Sequence, residues 1–191
     1  NVVVLAVKPQ NLPEVASQLR PRLSGHWVLS IAAGVRMVDL ARWLGGHTQL
    51  VRAMPNTPAV VGAGMTGLYA SSGVSQAARS AAEAVMRGVG SVVWVDNETL
   101  LDAITAVSGS GPAYVFYLIE SLEAAAVAEG LAPAAARQLA LQTFFGAAKL
   151  ALESGEEPAV LRARVTSKGG TTERGIAALE KAAGKAGIAQ A

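Results

Sequence analysis

The pattern of apolar residues changes character at Glu98, and this change constrains the fold of the 191-residue chain more than any other feature. Before it, short apolar runs alternate with amphipathic stretches. Val2–Val7 is valine-rich and ends at Lys8-Pro9, and Trp27–Ala32, Gln49–Met54, Gly62–Ala70 and Ser91–Val95 are further runs of strand character. A continuous apolar run such as Val2–Val7 suits a strand buried on both faces of a parallel sheet. Between the runs, Leu12–Leu23, Met37–Leu44 and Ser75–Arg87 predict helices. The order β-α-β-α-β is that of an open α/β sheet, where ligands bind at the carboxyl ends of the strands. The loops at those ends are Lys8-Pro9, Ala32-Ala-Gly34 and Met54-Pro-Asn-Thr-Pro58, which together outline a crevice.

After Glu98 strand signals vanish and alanine rises. Helices are expected near 98–107, 113–129, 133–152, 158–164 and 171–184, punctuated by Gly130, Pro133, Gly155 and Gly169-Gly170. The chain thus divides into an α/β domain over 1–97 and an all-helical domain over 98–191. In the helix after Pro112, Val115, Leu118, Ile119 and Leu122 form one apolar stripe, and Ala124, Ala125, Ala126, Val127 and Ala128 carry apolar surface around the cylinder. Two arrangements account for such a helix: burial against another subunit, or an intrachain core.

Composition narrows the function classes. With 51% hydrophobic and 16% charged residues the chain has a globular ratio. Net charge is +2, made of +4 over residues 1–97 (eight basic, four acidic) and −2 over 98–191 (eight basic, ten acidic), which gives no basic stripe for nucleic acid. The absence of cysteine excludes disulfides, thiolate catalysis and cysteine-ligated metal, and His26 and His47 lack metal-ligand spacing. Mean hydropathy is +0.36, yet the uncharged stretch 53–78 contains Pro55, Asn56, Pro58 and four glycines, and 103–119 is broken by Ser108-Gly-Ser-Gly-Pro112, so neither reads as a membrane span. The expectation is a soluble, cytoplasmic protein without a visible signal peptide.

One segment points to chemistry. Val165-Thr-Ser-Lys-Gly-Gly-Thr-Thr-Glu173 places two glycines and four hydroxyls at the start of a helix. Gly169 and Gly170 allow positive φ and close backbone approach, and free amides at a helix N-terminus suit a carboxylate or phosphate. Taken alone, the segment reads first as an ordinary flexible loop in which Thr171 caps the helix.

Five segments together resemble pyrroline-5-carboxylate reductase, the last enzyme of proline biosynthesis: Ala6-Val-Lys-Pro9, Ser30-Ile-Ala-Ala-Gly-Val35, Arg52-Ala-Met-Pro-Asn-Thr-Pro58, Ser108-Gly-Ser-Gly-Pro-Ala-Tyr114 and Val165-Thr-Ser-Lys-Gly-Gly-Thr-Thr172. The resemblance spans nearly the whole chain. Ala-Val-Lys-Pro is shared by related dehydrogenases, whereas Ser-Gly-Ser-Gly-Pro-Ala-Tyr and the Gly-Gly-Thr-Thr loop, in this order and spacing, are specific.

The resemblance implies a Rossmann-type domain that binds NADPH or NADH, followed by a helical domain that dimerises by interleaving its helices, with each active site at the interface between subunits. Higher assembly as an oligomer of dimers fits the same plan. It implies that Ala6, Val7, Lys8 and Pro9, together with Ala32 and Ala33, border the cofactor, with Asn56 near its nicotinamide end. Ser167, Gly170, Thr171 and Thr172 would hold the carboxylate of 1-pyrroline-5-carboxylate, and Thr172 would hydrogen-bond the imine nitrogen. No metal, nucleic acid or membrane is implied. The family pattern also has a strand and a Gly-x-Gly-x-x-(Gly/Ala) turn ahead of the position of Val2, about 60 residues by the size of two βα units. The determinant of NADH against NADPH preference falls in that part. Gly62-x-Gly-x-x-Gly67 matches the turn by spelling alone, since it follows a strand but opens no helix.

Departures and rivals stay open at this stage. Lys168 stands where many family members carry proline, which predicts a less rigid loop. Lys8 is equally a solvated charge, Asn56 equally a stabiliser of its own Pro-Asn-Thr-Pro turn, and Ser108–Pro112 reads best as a device for close helix packing. A 3-hydroxy-acid dehydrogenase of the same two-domain plan would need a helical lysine, for which Lys149 is the candidate. A non-catalytic dimeric scaffold is the other alternative.

Overall fold

The computed structural model describes residues 1–191, which form two compact units, Asn1–Tyr114 and Val115–Ala191. The first is built on a five-stranded sheet of order β1-β2-β3-β4-β5, with β1 at Val2–Leu5, β2 at Trp27–Ser30, β3 at Leu50–Met54, β4 at Gly64–Ala70 and β5 at Gly90–Trp94. β1, β2 and β3 are parallel, in the register Val3↔Val28 and Leu29↔Val51, and β5 runs parallel to β4. β3 and β4 are antiparallel, which departs from the parallel sheet expected from the sequence. The nine residues Pro55–Ala63 between them are too few for a parallel crossover, so the chain turns back on itself through a 3-10 turn at Thr57–Val61.

Alternation along the central strands populates two cores. On one face, Leu5, Val28 and Leu50 pack with Leu12 and Ala16 of α1 (Leu12–Leu19) and with Met37 and Leu40 of α2 (Met37–Trp43). On the other, Leu29, Val51, Ala53, Leu68 and Ala70 meet Ala78, Ala82 and Met86 of α3 (Gln76–Arg87). The spacing of those three positions is one stripe of a helix, and the Ser75 hydroxyl caps it by accepting from the Ala78 amide at 3.2 Å. Along β1, Val3 and Leu5 face the first core, Val2 and Val4 are 41% and 48% exposed, and α3 packs over β4 and β5.

α4 (Leu100–Ile104) also belongs to the first unit. It lies so close to β4 that a Cβ on Gly67 would approach Ile104 Cδ1 to 2.5 Å. Gly62, Gly64 and Gly67 accordingly end a 3-10 turn and enter a strand, and none of them opens a helix.

The second unit is helical. α5 (Gly111–Ala128) enters it, followed by α6 (Pro133–Ser154), α7 (Pro158–Arg164), α8 (Thr171–Lys181) and α9 (Gly184–Gln190). Its only fully buried residues are Ala136 and Ala140, and no residue of α5 is buried: Val115, Leu118 and Leu122 are 41%, 38% and 47% exposed. Of the two arrangements open for α5, an intrachain core is therefore not the one seen. No helix is long and apolar enough to cross a membrane.

Candidate functional site

The carboxyl ends of β1, β2 and β3 lie side by side, because these three strands are parallel neighbours. Ala6 is exposed and Val7 half-buried after β1, and Lys8 is exposed at the start of a short 3-10 turn, Pro9–Asn11, with Pro9 half-buried. After β2, Ala32 is buried and donates its amide to the Ser30 hydroxyl at 3.3 Å, while Ala33 is exposed and Gly34 adopts φ +73°. Small side chains and a left-handed turn keep this loop low against the sheet. After β3, Asn56 begins the turn toward β4 in extended conformation.

The Asn56 side chain does not stabilise its own turn. Its Nδ2 donates to the carbonyl oxygen and to the hydroxyl of Ser108, each at 3.1 Å, and its Oδ1 accepts from the Met65 amide at 2.9 Å. Ser108 lies in a π-turn, Thr105–Gly109, between α4 and α5, marked by the five-residue bond from Ser110 N to Thr105 O at 2.8 Å. Such turns are rare and concentrate at functional sites. Close packing, the role read for Ser108–Pro112, is met at Gly109, where an added Cβ would lie 3.0 Å from Met54 Cε. Gly111 has open space around it.

Beneath the loop after β2 lies a buried ion pair. Arg52, 7% exposed in the middle of β3, pairs with Glu98. The same carboxylate oxygen accepts the amide of Met37, the first residue of α2, at 2.6 Å, and nearby Arg36 bonds Asp102 at 2.9 Å. Glu98 thus fixes the end of the loop 31–36 against β3. The lone arginine in the otherwise apolar run Leu50-Val-Arg-Ala-Met54 was the available signal, since a buried guanidinium demands a carboxylate partner.

In the second unit the segment 165–173 forms a tight turn into α8. Gly170 N donates to Ser167 O at 3.0 Å, and Gly169, third residue of this turn, has φ +75° as expected; Gly170 itself has φ −79° and is the residue at the cap. This corrects the reading of Thr171 as a cap: Thr171 is the first residue of the helix, and Thr172 the second. A Cβ on Gly170 would lie 2.9 Å from Ser167 Oγ and 3.0 Å from the Ser167 carbonyl oxygen, so glycine eases the close approach there. Glu173 Oε2 accepts from Gly169 N at 2.7 Å, and Arg174 donates to Gly169 O at 3.1 Å. The amides of Thr171, Thr172 and Glu173 sit in the first turn, where helix geometry leaves N–H groups without an intrahelical acceptor. Ser167, Thr171 and Thr172 are exposed. Lys149, the candidate of the rival dehydrogenase reading, is on the surface of α6, 3.7 Å from Glu153.

The comparisons with known proteins agree with this layout. Residues 98–191 match the family described as pyrroline-5-carboxylate reductase dimerisation, and residues 1–34 the family described as NADP oxidoreductase, coenzyme F420-dependent. A pyrroline-5-carboxylate reductase of Pseudomonas aeruginosa is 48% identical over 92% of this chain, which spans 65% of that relative's length. Among solved structures, the pyrroline-5-carboxylate reductase of Coxiella burnetii matches 99% of this chain with 44% identity and a TM-score of 0.94, and this chain covers 71% of it. The Plasmodium falciparum pyrroline carboxylate reductase, solved with NADP bound, matches 98% of this chain with 32% identity and a TM-score of 0.88, with 75% of its own length covered. The chain belongs to the pyrroline-5-carboxylate reductase family.

Proposed function

We propose that the protein reduces 1-pyrroline-5-carboxylate to L-proline with NADPH or NADH, the last step of proline biosynthesis, in the cytoplasm and as a homodimer or an oligomer of dimers. Residues 1–97 serve as the dinucleotide-binding part and 98–191 as the helical part that dimerises and binds substrate. The observation that carries the reading is the turn Ser167–Thr172, whose exposed hydroxyls and first-turn amides at the start of α8 suit a substrate carboxylate. The NADP-bound neighbour supports the choice of cofactor.

The residues at the ends of β1 and β2 fit a nicotinamide cofactor: Ala6, Ala32 and Ala33 are small enough to let a flat ring approach, Val7 and Pro9 supply apolar contact, and Lys8 adds a positive charge. The cofactor, when bound, supplies the hydride that adds to the carbon of the C=N bond. The chain's own task is positioning, because a protonated imine already accepts hydride readily. Ser167, Gly170 and Thr171 hold the carboxylate, and the Thr172 hydroxyl bonds the ring nitrogen, which passes from a protonated imine to a secondary amine.

Thr172→Ala in the full-length protein tests this assignment. One hydrogen bond that changes between ground and transition states is worth about 1–3 kcal/mol, so kcat falls roughly tenfold to a hundredfold. Ser167→Ala acts mainly on the KM for the imine, since a carboxylate contact is similar in both states. Unchanged kcat in a dimeric Thr172→Ala protein would overturn the role given to Thr172.

A further inference from the structure

Asn56 commits both its donors and one acceptor site to the protein. Two donors go to Ser108 and one acceptor bond to Met65, so a single amide ties the loop after β3, the start of β4 and the π-turn. An amide so engaged has no donor left for a ligand, so the position of its loop is the main way in which Asn56 can act on one. That loop stands at the same sheet end as Lys8 and Ala32-Ala33. Both partners come from segments marked by the sequence, Met-Pro-Asn-Thr-Pro and Ser-Gly-Ser-Gly-Pro, and Gly109 allows the second to close onto Met54 of the first.

We infer that Asn56 and Ser108 form a positioning clasp that locks the loop after β3 against the π-turn and thereby sets the nicotinamide end of the cofactor crevice. The inference rests on the reductase reading for the identity of the cofactor. Each bond of the clasp has a separate expected weight. Asn56→Ala removes all three bonds, whereas Ser108→Ala removes only the one to the hydroxyl and leaves the carbonyl in place. Ser108→Thr keeps the hydroxyl.

The test is NADPH affinity of the full-length protein, followed by tryptophan fluorescence, beside the KM for the imine. Asn56→Ala is expected to weaken NADPH binding by about tenfold or more and Ser108→Ala by about threefold, the loss expected for one neutral hydrogen bond, with the imine KM within about twofold of wild type. Ser108→Thr restores the affinity, and the double variant Asn56→Ala/Ser108→Ala is no weaker than Asn56→Ala alone. Wild-type NADPH affinity in Asn56→Ala and Ser108→Ala, even with a lowered melting temperature, overturns the clasp, as do losses that simply multiply in the double variant. Should Asn56→Ala not fold, the pair Ser108→Ala and Ser108→Thr decides alone. A wild-type protein that binds NADPH but does not reduce the imine overturns the reductase reading, and the affinity ratios still judge the clasp. A wild-type protein that binds neither NADPH nor NADH overturns both, and one that binds NADH alone is put through the same comparison with NADH.

Discussion

The sheet unit and the helical unit carry apolar residues in comparable abundance and dispose of them in opposite ways. In the first, period-two alternation sends Val28 and Leu50 to one face and Leu29 and Val51 to the other, and helices cover both, so all four are at most 1% exposed. In the second, apolar residues surround α5 and α6, and no residue of α5 is buried. Phe116, Tyr117, Phe145 and Leu152 remain 56%, 69%, 60% and 85% exposed. The central strands β2 and β3 are covered on both faces, whereas this helical unit needs a cover that its own helices do not provide. Under the reductase reading that cover is a second copy.

The sharpest way to break the contrast is to place a charge on α5. Leu122→Asp should raise the dimer Kd by about a hundredfold or more, since an apolar anchor in an interface core is worth about 2 kcal/mol or more and the carboxylate adds a desolvation cost. Analytical ultracentrifugation reads this directly. The sheet unit should keep its near-native circular dichroism, and an unchanged sedimentation profile would show that α5 is not covered by a second copy.

Glu98→Ala probes the opposite property, burial completed inside the sheet unit at β3 and the loop after β2. Removing the carboxylate strands the buried Arg52 guanidinium and frees the Met37 amide. Breaking a fully buried pair costs about 3–5 kcal/mol, and since the Glu98 side chain is 18% exposed the loss should be nearer 2–3 kcal/mol. Urea unfolding should show it at every protein concentration. Glu98→Gln, which keeps an acceptor oxygen, should recover part of the loss.

What the sequence made legible follows from this contrast. Strands and helices of the first unit were readable because burial on both faces leaves continuous apolar runs at β2 and β3 and a three-residue stripe on α3. The direction of β4 was not, since strand residues carry no sign of orientation; only the nine-residue link from Met54 to Gly64 held that information. At the site, the Gly-Gly-Thr-Thr turn was legible because glycine and helix-start chemistry are local. The Asn56–Ser108 and Arg52–Glu98 pairs join residues 52 and 46 positions apart, and single-sequence patterns do not carry such pairings.

A smaller effect is expected at Lys168. It is the second residue of the turn closed by Gly170 N and Ser167 O, ahead of Gly169 at φ +75°, and proline is favoured at the second position of a turn whose third residue has positive φ. Lys168→Pro should therefore stabilise the turn by about 0.4–1 kcal/mol, mainly by restricting the unfolded chain. Hydrogen exchange at Gly170 should slow correspondingly. Faster exchange would mean that the backbone at residue 168 does not accept a fixed φ.

The smallest effect belongs to the surface of the sheet unit, where α3 meets β5. Glu83 accepts from the Trp94 indole at 2.9 Å and pairs with Arg87 at 2.7 Å, while the Arg79 guanidinium lies 5.4 Å from the centre of the Trp94 ring. The indole hydrogen bond first, and the bond to Arg87 second, hold the Glu83 carboxyl below its ordinary value of 4.5. A depressed carboxyl pKa stabilises the folded state above the unfolded value, and this contribution is lost as pH falls through the folded one. The Trp94 indole N–H resonance should therefore stay constant from neutrality down to about pH 5 and move only at lower pH, as protonation of Glu83 weakens its acceptor. In Glu83→Gln the same resonance should be independent of pH across that range. An indole resonance that does not titrate at all at acid pH would show that this contact between α3 and β5 is not formed in solution.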